Sequence, residues 1–339
     1  MLVIAAIELV VVVRAPAPGR AGIPPVDSFQ RGMVLGLFSR DDPGFVERAI
    51  GELRDLGVDS ISIAVPWAIP DVRSIRLAPR SDMTPGDASL RRAIRQAHLA
   101  GMRVLLLPLI YVDRMDGPEW RGTLAPADWG AWFAAYDRMI LRYAALAASE
   151  KVEYFSVGSE LCSTEGRRDE WRDLITRVRR VYGGLVTYSA NWDHRDEMTF
   201  GESLDFLGMN AYFSLSGNPD AGLDDLVAAW TPILEEIERW RSKLGLRVVV
   251  TEVGYPSRRG AASNPWAYDA PGAPDTGAQQ RGYAAFVRAW TGYPSLAGVY
   301  FYMWWGDGGP ADSGYTPRGK PAASVVSSWY HESRMGDKP

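Results

Sequence analysis

The chain is poor in the residues that build disulfides and metal centres. It has one cysteine, Cys162, and three histidines among 339 residues. A single thiol cannot form an internal disulfide, and so few histidines leave little material for a zinc cluster or a metal-dependent hydrolase. We therefore expect no disulfide framework, no metal and no other cofactor.

Long runs of one charge or of apolar residues are also scarce. The 37 basic and 41 acidic residues leave a net charge of −4, without the Lys/Arg run that typically binds a phosphate backbone. Beyond the N-terminal segment, no stretch approaches the roughly 18 uninterrupted apolar residues of a membrane helix. We expect no nucleic-acid partner, no membrane span and a monomeric protein.

The first 22 residues form a signal-like or disordered segment. Residues 2–13 are mostly apolar, and a stretch rich in Pro, Ala and Gly follows at residues 15–22. However, Glu8 interrupts the apolar run and no Lys or Arg precedes it, whereas a secretory signal has a positive start and a clean apolar centre. Export to the periplasm or medium and a cytoplasmic location both stay open.

What the chain does contain is an alternation of short apolar runs with longer segments of helical periodicity, which is typical of parallel strands linked by helices. Eight such units predict a single α/β domain, a (β/α)8 TIM barrel over residues 23–339, with a doubly wound open sheet as the alternative. The predicted strands are 33–38, 60–65, 104–110, 155–160, 185–190, 206–209, 247–251 and 299–303.

Two glutamates follow predicted strands directly. Glu160 ends the fourth strand and Glu252 follows the seventh. Catalytic groups in this fold lie at the carboxyl ends of the strands, and these two strands lie roughly opposite each other across the barrel mouth. Glycosidic cleavage needs one carboxyl group that donates a proton and one that stays ionised. Either glutamate alone could be a loop salt bridge or a helix cap, but together they predict a glycosidase.

The sequences around these glutamates resemble the catalytic strand ends of glycoside hydrolase clan A, and family 113 in particular. The catalytic segments are Val157-Gly158-Ser159-Glu160-Leu161 and Val250-Thr251-Glu252-Val253-Gly254-Tyr255. Further similar segments are Val65-Pro66-Trp67, Trp120-Arg121-Gly122, Ser189-Ala190-Asn191-Trp192, Asn210-Ala211-Tyr212-Phe213, Pro265-Trp266 and Trp304-Trp305. The resemblance implies a retaining double displacement on β-1,4-mannan or manno-oligosaccharides, with Glu160 as acid/base and Glu252 as nucleophile.

The sequence departs from the clan pattern at two positions. Ser159 stands where clan members usually place the asparagine that binds the sugar 2-hydroxyl. The third strand reads Leu106-Leu107-Pro108-Leu109, where we would expect a basic residue that faces the site. Both departures bear on the substrate more than on the reaction.

The remaining site candidates follow from what a sugar requires. Sugar rings present flat C–H faces, so aromatic side chains beside hydrogen-bonding groups are the expected lining. Tyr212 is placed to donate a hydrogen bond to the nucleophile, with a core tyrosine as the alternative. Because side chains alternate along a strand, only one of Trp304 and Trp305 should face the lumen, and we expect Trp304. Glu165 is expected in a loop or at the rim. The predicted substrate-binding residues are Trp67, Trp120, Ser159, Asn191, Trp192, Asn210 and Trp304.

Other functions remain as alternatives. A non-catalytic carbohydrate-binding barrel would keep the aromatic residues but would not need both glutamates. A clan A glycosidase that acts on another β-glycan would keep both. A phosphate-binding barrel enzyme finds only a weak glycine-rich turn in Gly306-Asp307-Gly308-Gly309, and no lysine lies at a strand end to form a Schiff base. The serine-hydrolase motif Gly-x-Ser-x-Gly is absent.

Overall fold

Nine β-strands run through the described part of the chain. The structure, a computed structural model, describes residues 29–37, 43–268 and 271–336. The signal-like segment predicted for residues 1–22 lies outside these ranges. The strands are β1 (Gln30–Leu35), β2 (Ser60–Ile69), β3 (Ala78–Pro79), β4 (Arg103–Val112), β5 (Tyr154–Ser159), β6 (Leu185–Asn191), β7 (Leu207–Asn210), β8 (Val248–Val253) and β9 (Leu296–Trp304).

Eight of these strands form a closed parallel barrel. The hydrogen-bonded order is β1-β9-β8-β7-β6-β5-β4-β2, and β1 also pairs with β2, which closes the ring. The short β3 adds to β2 in the antiparallel sense and lies outside the ring. The predicted (β/α)8 barrel is therefore confirmed, and the open sheet is excluded.

Helices surround the barrel. They are α1 (Pro43–Asp55), α2 (Asp87–Leu99), α3 (Trp129–Ser149), α4 (Arg168–Val181), α5 (Leu223–Ser242), α6 (Thr276–Trp290) and α7 (Pro321–Gly336). Between β6 and β7, the described chain forms two 3₁₀ turns, Arg195–Glu197 and Gly201–Ser203, in place of an α-helix. Among the described residues, no helix has the length and apolar character needed to cross a bilayer.

The helix boundaries follow from local sequence chemistry. The side chains of Asp128 and Asp275 accept hydrogen bonds from the backbone N–H groups of Ala131 at 2.9 Å and Ala278 at 2.8 Å, which caps the N-termini of α3 and α6. Gly57 lies just beyond α1, at a φ of 85° that only glycine adopts readily. The chain therefore turns back towards the next strand at this position.

Side chains alternate between two apolar layers. One set fills the barrel lumen, and most of its members lie near the amino-terminal ends of their strands; we call it the lumen layer. Its members are Val34, Leu105, Tyr154, Leu185, Phe206, Val249, Ala297 and Tyr300. The alternate positions pack outward against the helices in a much larger cluster. Apolar side chains therefore fill the lumen towards the amino-terminal ends of the strands. Polar groups can occupy the lumen at the carboxyl ends.

Candidate active site

The two predicted glutamates lie at the carboxyl end of the barrel. Glu160 follows β5 and is 5% exposed, while Glu252 lies near the end of β8 and is 8% exposed. Burying a carboxylate is costly unless hydrogen bonds or opposite charges compensate it. The partners of each glutamate therefore determine what it can do.

Glu160 has an unusual backbone conformation. Its φ is 55°, in the left-handed region that costs a residue with a side chain about 1–2 kcal/mol. The β5–β6 register slips just before it, because three steps from Ser156 to Ser159 match only two steps along β6. The Glu160 N–H donates to the Ser189 carbonyl at 2.9 Å. Such local strain is common where a side chain must be aimed for function.

Both carboxylate oxygens of Glu160 accept hydrogen bonds. Asn210 Nδ2 donates to Oε1 at 2.8 Å, and an Nη of Arg121 contacts Oε2 in a close ion pair. Asn210 also lies 3.2 Å from the Oγ of Ser159 and accepts from Thr251 Oγ1 at 2.9 Å. Asn210 and Ser159, both predicted substrate residues, therefore lie directly against the acid/base candidate.

Glu252 is held by Tyr212. The tyrosine hydroxyl donates to Oε2 at 3.1 Å, which is the contact expected from sequence. Burial and the negative charge of Glu160 raise the pKa of Glu252 to about 7, although Arg121 and the Tyr212 hydrogen bond act in the opposite direction. Glu252 is thus a carboxyl group that ionises near neutral pH.

Arg121 supplies the basic residue that the third barrel strand lacks. It lies in the 3₁₀ turn Arg121–Thr123, in the loop after β4. Because it is well beyond the end of that strand, the strand pattern did not point to it. Although burial lowers the pKa of Arg121, the charges of Glu160 and Glu252 raise it above its ordinary value. The guanidinium therefore interacts with both glutamates. A signal was present in the sequence, because Arg121 lies inside Trp120-Arg121-Gly122, one of the segments that resemble family 113.

Two of the predicted tryptophans form part of loop clusters. Trp192 stacks on Trp266 with ring centroids 5.4 Å apart and an angle of 20° between the rings. Trp266 is 44% exposed, so this stacked pair presents an aromatic face to solvent. Trp120 is partly exposed, and Arg121 lies over its ring at 5.9 Å. The neighbouring Asn191 donates to the Asp193 carboxylate at 2.6 Å.

The other two tryptophans face the helices. The indole N–H of Trp67 donates to the hydroxyl of Tyr143 on α3 at 2.8 Å. That of Trp304 donates to Glu52 on α1 at 2.9 Å, so the prediction that Trp304 faces the lumen is wrong. The reason is a register shift, since two steps from Met33 to Leu35 on β1 match three steps along β9. The shift reverses the alternation before Trp304.

Tyr302 takes the lumen position instead. It follows the lumen residue Tyr300 by two, and its ring packs edge-on against Tyr212 at 6.3 Å. Burial, and then the charge of Glu252, raise the pKa of Tyr302 above its ordinary value. Alternation counted from Tyr300 rather than from the Trp304-Trp305 pair would have found it.

One group of side chains has metal-ligand chemistry. Cys162, Glu165 and His194 place a thiol, a carboxylate and an imidazole within 4.8 Å of one another. Both oxygens of Glu165 already have partners in Tyr188 and His194, and burial raises the pKa of the Cys162 thiol. A metal needs the thiolate, so these contacts favour a hydrogen-bonded cluster. Glu165 lies in a loop, as predicted, but it is not at the rim, because its side chain is fully buried.

Comparisons with known proteins identify a family for most of the chain. The sequence model of Glycoside Hydrolase Family 113 matches residues 43–315. A search of curated proteins returned no match.

Solved structures show the same architecture. The GH113 β-mannanase from Alicyclobacillus acidocaldarius, in complex with ManMIm, is 26% identical with a TM-score of 0.81, over 91% of this chain and 99% of that one. A second GH113 β-1,4-mannanase is 25% identical with a TM-score of 0.76, over 90% and 99%. A family 5 mannosidase from Rhizomucor miehei, at 14% identity and a TM-score of 0.62 over 94% and 95%, shares the fold.

Proposed function

This chain belongs to Glycoside Hydrolase Family 113 and is a glycoside hydrolase, and we propose that it cleaves β-1,4-mannan or manno-oligosaccharides with retention of anomeric configuration. Glu160 is the acid/base and Glu252 the nucleophile. The substrate class follows from the relatives, because two solved structures of about a quarter identity are β-mannanases.

One observation supports a division of roles between the two glutamates, and the resemblance of their strand ends to clan A indicates which role each one takes. The two buried glutamates at the same end of the barrel have different partners: Glu160 accepts from Asn210 and Arg121, while Glu252 accepts from Tyr212. A retaining enzyme needs two carboxyl groups with different tasks, and different surroundings are how a protein separates them.

The first chemical step forms a bond to Glu252. Tyr212 engages Oε2, so we assign the attack on the anomeric carbon to Oε1 of the ionised carboxylate. As that bond forms, the bond from the anomeric carbon to the glycosidic oxygen breaks, and Glu160 donates its proton to this oxygen. Arg121 must release Oε2 of Glu160 before this oxygen can carry the proton.

The second step reverses these roles. Glu160, now ionised, removes a proton from a water molecule, whose oxygen attacks the anomeric carbon and displaces Glu252 as a carboxylate. Two inversions give net retention. Asn210, which contacts Glu160 and lies beside Glu252 in the β7–β8 register, is the side chain that we assign to the sugar 2-hydroxyl in place of residue 159.

The test is a panel of defined β-1,4-linked manno-, gluco- and xylo-oligosaccharides, with the product anomer followed by NMR. We expect hydrolysis of the manno-series and a β-anomer as the first product. An α-anomer would contradict retention, and preference for another series would move the substrate to a different β-glycan. Binding without hydrolysis of any series, by the folded protein, would favour the non-catalytic barrel.

A further inference from the structure

The buried carboxylate of Glu165 has no part in the two chemical steps above. It follows the 3₁₀ turn Cys162–Thr164 and lies five residues after Glu160. Its side chain is completely buried. Both of its oxygens accept hydrogen bonds, one from the Tyr188 hydroxyl at 2.7 Å and one from a ring nitrogen of His194 at 2.9 Å. Moving either donor away would leave a buried carboxylate oxygen without a hydrogen bond, which costs free energy. The carboxylate therefore holds both donor side chains in place.

The Tyr188 hydroxyl links this carboxylate to the chain next to Glu160. While it donates to Glu165, it accepts a hydrogen bond from the Leu161 N–H at 2.7 Å. Leu161 directly follows Glu160, whose left-handed backbone takes the chain out of the β5 register. The tyrosine oxygen therefore holds the peptide group between Glu160 and Leu161 in place. This contact stabilises the left-handed conformation of Glu160.

The Tyr188 ring cannot move freely. It is fully buried, and it packs edge-on against Trp171 at 5.2 Å and Phe200 at 5.3 Å. The other side of Glu165 is equally restrained, because its backbone carbonyl accepts from both the N–H and the hydroxyl of Thr199, at 3.2 and 2.8 Å. Glu165 thus ties the loop after β6 to the end of β5.

We propose that Glu165 is a positioning residue for the acid/base: through Tyr188 it fixes the Leu161 peptide and thereby aims the carboxyl group of Glu160 at the glycosidic oxygen. This inference rests on the role proposed for Glu160. It adds a requirement for activity beyond the two catalytic glutamates: a third glutamate, Glu165, which does not react, must stay buried and hydrogen-bonded.

Loss of this positioning should affect the proton-donation step selectively. General-acid catalysis depends on hydrogen-bond distance to the leaving oxygen, and it matters most when the leaving group is a poor one such as a sugar hydroxyl. A dinitrophenolate leaves without a proton. Loss of the Glu165–Tyr188 contact should therefore slow natural substrates much more than activated aryl glycosides, whereas general damage to the fold would slow both alike.

The experiment compares kcat/KM for a manno-oligosaccharide and for a 2,4-dinitrophenyl β-manno-oligosaccharide in Tyr188→Phe and Glu165→Gln. We expect a loss of about tenfold or more on the first substrate and less than about threefold on the second. Glu160→Ala is the reference and should show the same selectivity more strongly. Tyr182→Phe is the matched control, because that buried hydroxyl donates to the Val152 carbonyl at the opposite end of β5; it should leave both rates unchanged.

The outcomes separate the inference from the proposed function. If Glu160→Ala slows both substrates equally, the acid/base assignment itself fails. If Glu160→Ala is selective but Tyr188→Phe slows both substrates equally or neither, the positioning role is refuted. Should Tyr188→Phe not fold, His194→Leu makes a second test, because leucine cannot donate to Glu165 and the side chain at this position is 39% exposed; equal effects on both substrates would again refute the role.

Discussion

Two charge clusters lie at opposite ends of the barrel, and they contain the two signs of charge in opposite proportions. At the amino-terminal end, one carboxylate, Asp59, pairs with two guanidinium groups, those of Arg31 at 3.0 Å and Arg103 at 2.6 Å. At the carboxyl end, within the described ranges, Glu160 and Glu252 share the single guanidinium of Arg121. The amino-terminal cluster has an excess of positive charge and the carboxyl-terminal cluster an excess of negative charge.

This difference separates stability from reactivity. Both partners of Asp59 are arginines, which stay protonated, so this carboxylate keeps two positive counter-charges beside it. A carboxylate can take up a proton instead, and burial, followed by the negative charge of Glu160, raises the pKa of Glu252 to about 7. The same barrel therefore holds a cluster with excess positive charge at one end and, at the other, a buried glutamate, Glu252, whose pKa is raised.

The strongest test of this contrast is Glu252→Gln. The variant keeps the shape of the side chain but loses the proposed nucleophile, so we expect kcat to fall by about 10⁴-fold with the fold intact. Steady-state kinetics on a manno-oligosaccharide, with circular dichroism as the folding control, measure the effect. A rate within about tenfold of the parent protein would show that Glu252 does not react.

Asp59→Asn should have the opposite profile. It leaves Arg31 and Arg103 without their shared counter-charge, so we expect a loss of about 3 kcal/mol in the free energy of unfolding. The kcat should not change at temperatures where the variant is folded. Urea denaturation and kinetics together measure both effects, and a variant of unaltered stability but reduced kcat would overturn the division between the two ends.

Arg121→Met should shift the pH dependence. Arg121 lowers the pKa of Glu252, so its removal raises that pKa further above 7. Glu252 must be ionised in its proposed role as nucleophile, so the acid limb of kcat/KM should lie near pH 7 in the parent protein and move upward by about 1 unit in the variant. Arg114→Met, in the same loop but with an exposed arginine, is the control. A downward shift would contradict the charge balance described for this end.

The smallest effect concerns stability against pH. Because the folded pKa of Glu252 lies above its ordinary value of 4.5, the folded protein takes up a proton that the unfolded chain does not. Its stabilising effect is complete below about pH 4.5 and is lost as the pH rises through about 7. Glu252→Gln lacks this loss, so its melting temperature should exceed that of the parent by about 3 °C at pH 8, with the difference shrinking towards pH 4.5. Scanning calorimetry at both pH values is the measurement, and a constant difference would refute the shift.

The sequence predicted the parts of the site that depend on regular strands. Glu160 and Glu252 each end an apolar run, and Tyr212 lies two residues beyond Asn210, so the barrel geometry alone brought them to one end. The predicted Tyr212–Glu252 contact appears in the structure at 3.1 Å.

The parts that escaped prediction depend on irregular backbone. Arg121 comes from a 3₁₀ turn in a long loop, where no period fixes the direction of a side chain. Trp304 turned outward because of a register shift in β9, and Tyr302 took its place. Glu165 lies in a loop as expected, but contacts with β6 and the loop beyond it bury its side chain instead of leaving it at the rim. Each of these positions is set by tertiary contacts and not by local pattern.

The most direct test of the two-glutamate mechanism is to trap its covalent intermediate. A 2-deoxy-2-fluoro-β-mannoside with a dinitrophenyl or fluoride leaving group should form the glycosyl-enzyme and hydrolyse it slowly, because the fluorine destabilises the oxocarbenium-like transition state. Peptide mass spectrometry should then find one sugar attached to Glu252. Attachment to Glu160, or to any other carboxylate, would contradict the assignment of the nucleophile.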